Sequence, residues 1–392
     1  MMIAWRNRHG DVVFGVNDFD EAAIYDFQMD VCRVAVSIWN HARTNGFDVE
    51  ETTEVIFGFS EAYIRTILGY QDNENALLFE LTKKTATGVL KSFLEHTDQK
   101  KSSEKLMTKF TTRDPVTLQR HFMKGPIDVP DPITHLATVP PEMEAQIRDA
   151  FSATKYGATM MKLGWAVNEW DDKYFEVLDV AERVGSGIGS YGVDRYYVLL
   201  KGRDGLLTDD GDDGTAVILD VKFQPHSAVS RVLSQGDAAW YSVLFPNEAA
   251  RVAEAQRRLT SYTDPFTGWI VLKNLNPEAE TYGQYQPFSV RQRSPYKDTI
   301  DLGSLTDLDD FKEFVAQIGI STATSHVRGT VAKAPGDFKR VIGAIFGGSE
   351  HKRHEWGRLM AKVAHAYHEQ VKLDFECFRD YVQQTYGSPT SD

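Results

Sequence analysis

Apolar positions in the first hundred residues recur mostly at helical spacing. Val31, Val34, Ala35, Ile38, Trp39 and Ala42 make one face of a helix over about 30–43, stopped near Gly46. Val55, Phe59, Ala62, Tyr63 and Ile67 do the same over 50–68, and a third helix is expected over 75–96. Ahead of them the pattern alternates. Ile3 to Asn7, the turn Arg8-His9-Gly10-Asp11, and Val12 to Val16 predict a β-hairpin. Residues 97–105 turn polar and 115–141 are rich in proline, so both are expected as loop. A short helix is expected over 142–151.

From Tyr174 the period shifts towards two. Strands are predicted at Phe175–Val180, Arg195–Lys201, Ala216–Phe223, Trp269–Leu272 and Phe288–Gln292. Between them, Glu248–Leu259 reads as a helix with Asn247 as its N-cap. The end is helical again, over 309–327 and 354–386. In the last helix Trp356, Leu359, Met360, Val363, Tyr367, Val371, Phe375, Phe378 and Val382 are expected to be buried. The order predicts an α+β chain with a small β-rich lobe between two helical segments, divided as 1–165, 166–275 and 276–392.

Charge narrows the partners. Among 392 residues, 43 Lys and Arg face 56 Asp and Glu, a net charge of −13. That balance speaks against nonspecific nucleic-acid or membrane-surface binding, which needs a basic face. No apolar run reaches the roughly 18 residues of a membrane span, and the N-terminus lacks a secretory pattern. Cys32 and Cys377 lie far apart inside apolar helical patterns. They are expected as reduced, buried thiols of a cytoplasmic protein.

Three motifs carry candidate chemistry. Gly187-x-Gly189-x-x-Gly192 would suit a dinucleotide fold only if a helix came after it. The next residues, Val193-Asp-Arg-Tyr-Tyr-Val-Leu-Leu200, read as a strand, so the loop fits a kinase-type glycine hairpin that brings backbone amides to ATP phosphates. For the glycines alone, an ordinary turn is the commoner origin. Lys222 ends the next strand, Val217-Ile-Leu-Asp-Val-Lys222, where such folds carry a phosphate-holding lysine. A glutamate on the following helix should position it. Glu248 and Glu254 are both available, and Glu254, mid-helix, is preferred. Asp18-Phe19-Asp20, after the N-terminal hairpin, suits a hard cation such as Mg²⁺, although an Asx turn is the simpler alternative. His9-Gly10-Asp11 resembles a catalytic element of small-molecule kinases but stands too close to Asp18, and is read as the hairpin turn. The acidic turn Asp209–Gly214 fails the Ca²⁺-loop pattern.

Taken together, these pieces resemble the bacterial family called domain of unknown function 2252, grouped with the protein-kinase-like fold. The resembling stretches include Val12-Val-Phe-Gly-Val-Asn-Asp-Phe-Asp-Glu-Ala22, Gly187-Ile-Gly-Ser-Tyr-Gly192, Val221-Lys222, Arg251-Val-Ala-Glu-Ala-Gln-Arg257, Ser289-Val-Arg-Gln292 and Ser325-His-Val-Arg-Gly329. The resemblance implies a bilobed, circularly permuted kinase-like fold, because the metal aspartate precedes the glycine loop. It implies an ATP–Mg²⁺ site and transfer of phosphoryl to an unknown acceptor. Gly187, Gly189, Ser190 and Gly192 would cover the phosphates, Lys222 would contact them with Glu254 positioning it, and Asp18 and Asp20 would bind metal. Two departures matter. The family's Gly-Asp-x-His-x-x-Asn element, expected just upstream of the hairpin, does not occur in this sequence, so the chain is expected to be N-terminally truncated or a catalytically inactive pseudokinase. Phe223 and Gln224 stand where the family usually has an acidic residue after the lysine. A helical interaction protein, with the glycines and acids as turns, is the remaining alternative. His326 and Arg328 are candidates to line the cleft or to close a helix end.

Overall fold

The structure is a computed structural model and describes residues 2–7, 9–164, 175–185, 192–201, 216–330 and 337–387. In chain order its first part contains strands β1 (Met2–Arg6) and β2 (Val12–Val16), helices α1 (Phe27–Thr44) and α2 (Val49–Gly69), strand β3 (Leu81–Thr82), and helices α3 (Gly88–Lys100) and α4 (Ser103–Phe110). Then come β4 (Thr111–Arg113), β5 (Arg120–Phe122), β6 (Leu136–Ala137), α5 (Pro141–Ala150), α6 (Ala158–Lys162), β7 (Val177–Arg183), β8 (Arg195–Leu200) and β9 (Val217–Phe223). The remainder is α7 (Gln235–Leu244), α8 (Glu248–Leu259), β10 (Gly268–Lys273), β11 (Tyr285–Gln292), α9 (Leu308–Thr330), α10 (Asp337–Phe346) and α11 (Glu350–Tyr386). The class is mixed α+β, with helix dominant. Among the described residues no helix is long and apolar enough to cross a membrane.

Two large cores, with a smaller apolar cluster on the other face of the sheet, divide the chain. The helical core joins both ends of the sequence: Trp39, Phe59, Tyr63 and Leu90 from the first part pack with Phe311, Val315 and Ala323 of α9 and Met360 of α11. The second core lies on one face of an antiparallel sheet of order β10-β11-β9-β8-β7-β6. Alternation along the strands separates the two faces of that sheet. Tyr196, Val221 and Val290 lie in register on the core side, and Arg195, Lys222 and Ser289 lie in register on the other. Part of that second face is covered by Met107, Phe110 and Phe122, which pack on Tyr197, Leu199 and Ile218. The sheet core draws on Met143, Ile147 and Tyr156, and β11 runs through the sheet to Gln292. The packing of the β-rich lobe therefore extends on both sides of the span 166–275.

Several local expectations hold. The hairpin forms with Asn7 tying its turn, its Oδ1 accepting from His9 N and Asp11 N at 2.9 and 3.0 Å. Asn247 caps α8, accepting from Ala250 N at 2.8 Å. A reciprocal capping box of Asp48 and Glu51, not among these expectations, opens α2.

Others are corrected. The helix expected over 75–96 is a 3-10 turn, the short strand β3 and then α3. Thr82 N donates to Thr85 Oγ1 at 2.9 Å and Thr85 Oγ1 to Glu80 O at 2.6 Å, so hydroxyls compete with helical bonds there. Leu81 instead pairs with Phe14 of β2. The proline-rich span 115–141 contains β5 and β6, whose Phe122 and Leu136 are buried. In α11, Met360 is buried and Trp356 and Val371 pack on the core, but Leu359, Tyr367, Phe375 and Phe378 are exposed. The helix runs past the lobe, and residues 372–381 all face solvent. Cys377 is exposed with them and Cys32 is half-buried, so neither is the buried thiol expected.

Candidate functional site

The site grows from the hairpin. After β2 the chain turns through Asn17 and Asp18 into a 3-10 turn at Phe19–Glu21. Asp18 takes φ 71° and ψ 68°, a left-handed conformation costly for a residue with a Cβ. The turn buries Phe19, leaves the Asp18 carboxylate exposed, and directs Asp20 at the sheet. There Lys222 Nζ ion-pairs with Asp20 Oδ2, joining residues 202 positions apart in sequence. Gln224 Nε2 donates to Asp20 Oδ1 at 3.0 Å and to Ser289 Oγ at 2.9 Å.

The remaining contacts hold the same turn and the residues flanking it. Buried Arg251 of α8 donates from Nη2 to Asp20 O at 2.7 Å and from Nη1 to Ala22 O, while its Nε donates to Glu248 Oε2 at 2.6 Å. Ala228 N donates to Glu21 Oε2 at 2.6 Å, and Tyr241 OH donates to Ile24 O at 3.0 Å. Arg291 Nη1 donates to Asn17 Oδ1 at 3.2 Å. A cleft of ≈ 350 Å³ runs along this seam, lined among others by Phe19, Asp20, Lys222, Gln256, Ser289 and Arg291.

Behind Lys222, Asp220 is buried on the same sheet face. Arg195 donates to it through a fork, Nε to Oδ1 at 2.7 Å and Nη2 to Oδ2 at 2.5 Å. Burial alone would raise the Asp220 carboxyl. The Arg195 guanidinium, with Arg291 and Arg293 beyond it, outweighs burial and holds the group well below the usual carboxylate range.

The structure thus brings Asp20 to Lys222 and keeps Asp18 on the same turn. Glu254 is directed elsewhere: it pairs with Arg258 one helical turn on, at 2.5 Å, and Glu248 binds Arg251 and His226. β7 and β8 pair as the antiparallel arms expected around the glycine loop. Gly187, Gly189 and Ser190 lie outside the described residues, as does the acidic turn 209–214. Gly192, at the foot of β8, has φ 72°, a conformation that favours glycine. Among the described residues no group of three or more His, Cys, Asp or Glu could hold a metal ion by itself.

His326 bridges Tyr63 OH (2.7 Å) and Asp30 Oδ2 (2.9 Å) within the helical lobe. Arg328 is buried, donating to the carbonyls of Ala76 at 2.7 Å and of Phe79. His326 ties α9 to α1 and α2, and Arg328 ties α9 to the turn and loop over 76–79. Sequence reasoning gave no role to Gln224, Arg251, Arg291, Arg195 or Asp220. Arg251 and Arg291 sit inside two of the family-like stretches, which is the one signal that pointed at them.

A charged seam between a helical core and a six-stranded antiparallel sheet defines a two-core α+β protein whose polar groups converge from the N-terminal turn and the sheet. The chain belongs to the family described as "Uncharacterized protein conserved in bacteria (DUF2252)", whose model matches residues 4–381. Neither the curated proteins nor the solved structures compared with it include a match.

Proposed function

We propose that this chain is a protein-kinase-like, circularly permuted phosphotransferase scaffold that takes ATP–Mg²⁺ in the seam between its lobes. The observation that carries the reading is the Lys222–Asp20 contact, a strand lysine behind a glycine hairpin meeting an aspartate of the Asp-Phe-Asp turn. On this reading Lys222 exchanges Asp20 for phosphate, which frees the Asp20 carboxylate. The donor set suits Mg²⁺, a cation held by one or two carboxylates together with substrate phosphates rather than by an all-protein cage. Asp18, exposed in a strained turn, and Asp20 would be those carboxylates. Gly187, Gly189, Ser190 and Gly192 would lie over the phosphates. Bound Mg²⁺ would neutralise charge on the transferred group. Glu254, paired with Arg258, would have to turn towards Lys222 to support it.

Opening is part of the reading. Lys222 and Asp20 meet directly across the seam, where phosphate and metal would have to stand. Nucleotide entry therefore breaks Lys222–Asp20 and parts the lobes.

Thermal unfolding of the full chain with ATP, with and without Mg²⁺, tests this. A ligand at a hundred times its Kd stabilises by about 2.7 kcal/mol, which moves the midpoint by several degrees. A Mg²⁺-dependent rise that is lost in Lys222→Ala and Asp18→Asn is expected. An unchanged midpoint in the wild type overturns the proposal. Nucleotide binding and phosphoryl transfer are separate parts of this reading. Release of radiolabelled phosphate from ATP, alone or with candidate acceptors, separates the two.

A further inference from the structure

A second charged group lies on the same sheet face, two residues along each strand from the Lys222 contact. In register across β8, β9 and β11 stand Tyr197, Asp220 and Arg291. Arg291 is one-third exposed, and its Nε lies 3.7 Å from Asp220 Oδ2, beyond the fork of Arg195. Arg293, two residues on, stacks its guanidinium over the rings of Phe110 at 5.0 Å and Tyr197 at 5.4 Å. Its buried Nε has no hydrogen-bond partner among the described residues. Lys297 comes next at the surface and forms no ion pair among the described residues.

The balance of charge is unusual for so acidic a chain. Arg195, Arg291, Arg293 and Lys297 stand around Asp220; buried Asp264 also faces Arg291 but shares its charge with Arg257, Asp298 pairs with Lys101, and the nearby Asp20 is engaged by Lys222. Partial burial, and then the Arg293, Arg291 and Arg195 guanidiniums, push the Lys297 ammonium below its ordinary value. Like charges held together this way repel one another, and a bound anion relieves the repulsion. Arginine forks match the paired oxygens of phosphate.

We infer that Arg291, Arg293 and Lys297 form a binding site for a phosphate-type dianion, adjoining the Lys222–Asp20 seam. The inference stands without the nucleotide reading, because the ring-stacked and surface cations are there whether or not ATP binds. The phosphate can come from the nucleotide's own tail or from a phosphorylated acceptor.

Isothermal titration of the full chain with inorganic phosphate at low ionic strength tests it. Binding to the wild type should weaken about tenfold in Lys297→Ala, a surface change, and in Arg293→Met, which keeps an apolar side chain against the rings. Lys362→Ala, on the far helix α11, should bind as the wild type does. Near-ultraviolet circular dichroism checks that each variant is folded. Displacement of phosphate by ATP–Mg²⁺ supports the site and gives the anion to the nucleotide tail. Simultaneous binding supports it and gives the anion to the acceptor. No phosphate binding by the wild type at millimolar concentration overturns the inference, and so does equal binding by the wild type and a folded Lys297→Ala.

Discussion

Along the seam between α2 and α9, Ile56, Phe59, Tyr63 and Ile67 are fully buried, and the helices approach until Gly319 has no room for a Cβ: one would lie 2.7 Å from Phe59 O. Along the seam between the lobes, Asp20 is held by Lys222 and Gln224, and its backbone by Arg251. The first seam rests on apolar burial, which has no substitute in a ligand. The second rests on charge-assisted hydrogen bonds, which a phosphate or a metal can replace one for one. Strength and exchangeability are therefore assigned to different places, and the candidate site lies where partners can be exchanged.

The largest effect is expected in the apolar seam. Phe59→Ala should lower stability by about 3–5 kcal/mol in chemical denaturation, through lost burial and the cavity left behind. Asp220→Asn comes next. It leaves Arg195 buried without its counter-charge, at a cost of about 3 kcal/mol. Its pH signature has a defined sign. The folded-state carboxyl is depressed, so its contribution is full above the ordinary value of 3.8 and is lost as pH falls through the depressed value. Acid unfolding followed by circular dichroism should be less steep in the variant below that pH. A polar-seam change should be milder: Lys222→Met is expected to cost about 1 kcal/mol of stability, while removing ATP-dependent stabilisation. Glu254→Gln is the smallest. It breaks only the pair with Arg258, so stability should stay within about 0.5 kcal/mol and ATP binding should change far less than in Asp20→Asn. A large loss of ATP binding in Glu254→Gln would instead give Lys222 the helical partner that its sequence position suggests.

The features legible in the sequence were local. The hairpin at Asn7–Asp11, the cap at Asn247 and the strand ending near Lys222 each depend on residues a few positions apart. The division into helices, strands and helices came from a change of period. Tertiary placement was less legible. Two carboxylates stand in Asp18-Phe19-Asp20, and the left-handed turn at Asp18 decides that Asp20 meets the lysine, which spacing alone does not reveal. Gln224 looked like a departure from the family pattern and proves to be a second ligand of Asp20. The stripe of α11 was visible, but periodicity says which side of a helix is apolar, not whether anything lies over it. Glu254 sat at a suitable depth in its helix, yet Arg258 at i+4 is nearer.

The helical core has a temporal consequence. Its first contributors, from Val12 to Leu94, leave the ribosome well before α9, the helix against which α2 packs. At roughly 5–20 residues per second, α2 waits on the order of ten seconds or more with Phe59, Tyr63 and Ile67 uncovered. The strands of the sheet are all synthesised by Gln292, so that lobe can close while its neighbour is still unfinished. Translation speed between α2 and α9 thereby sets how long half a core stays open to wrong partners.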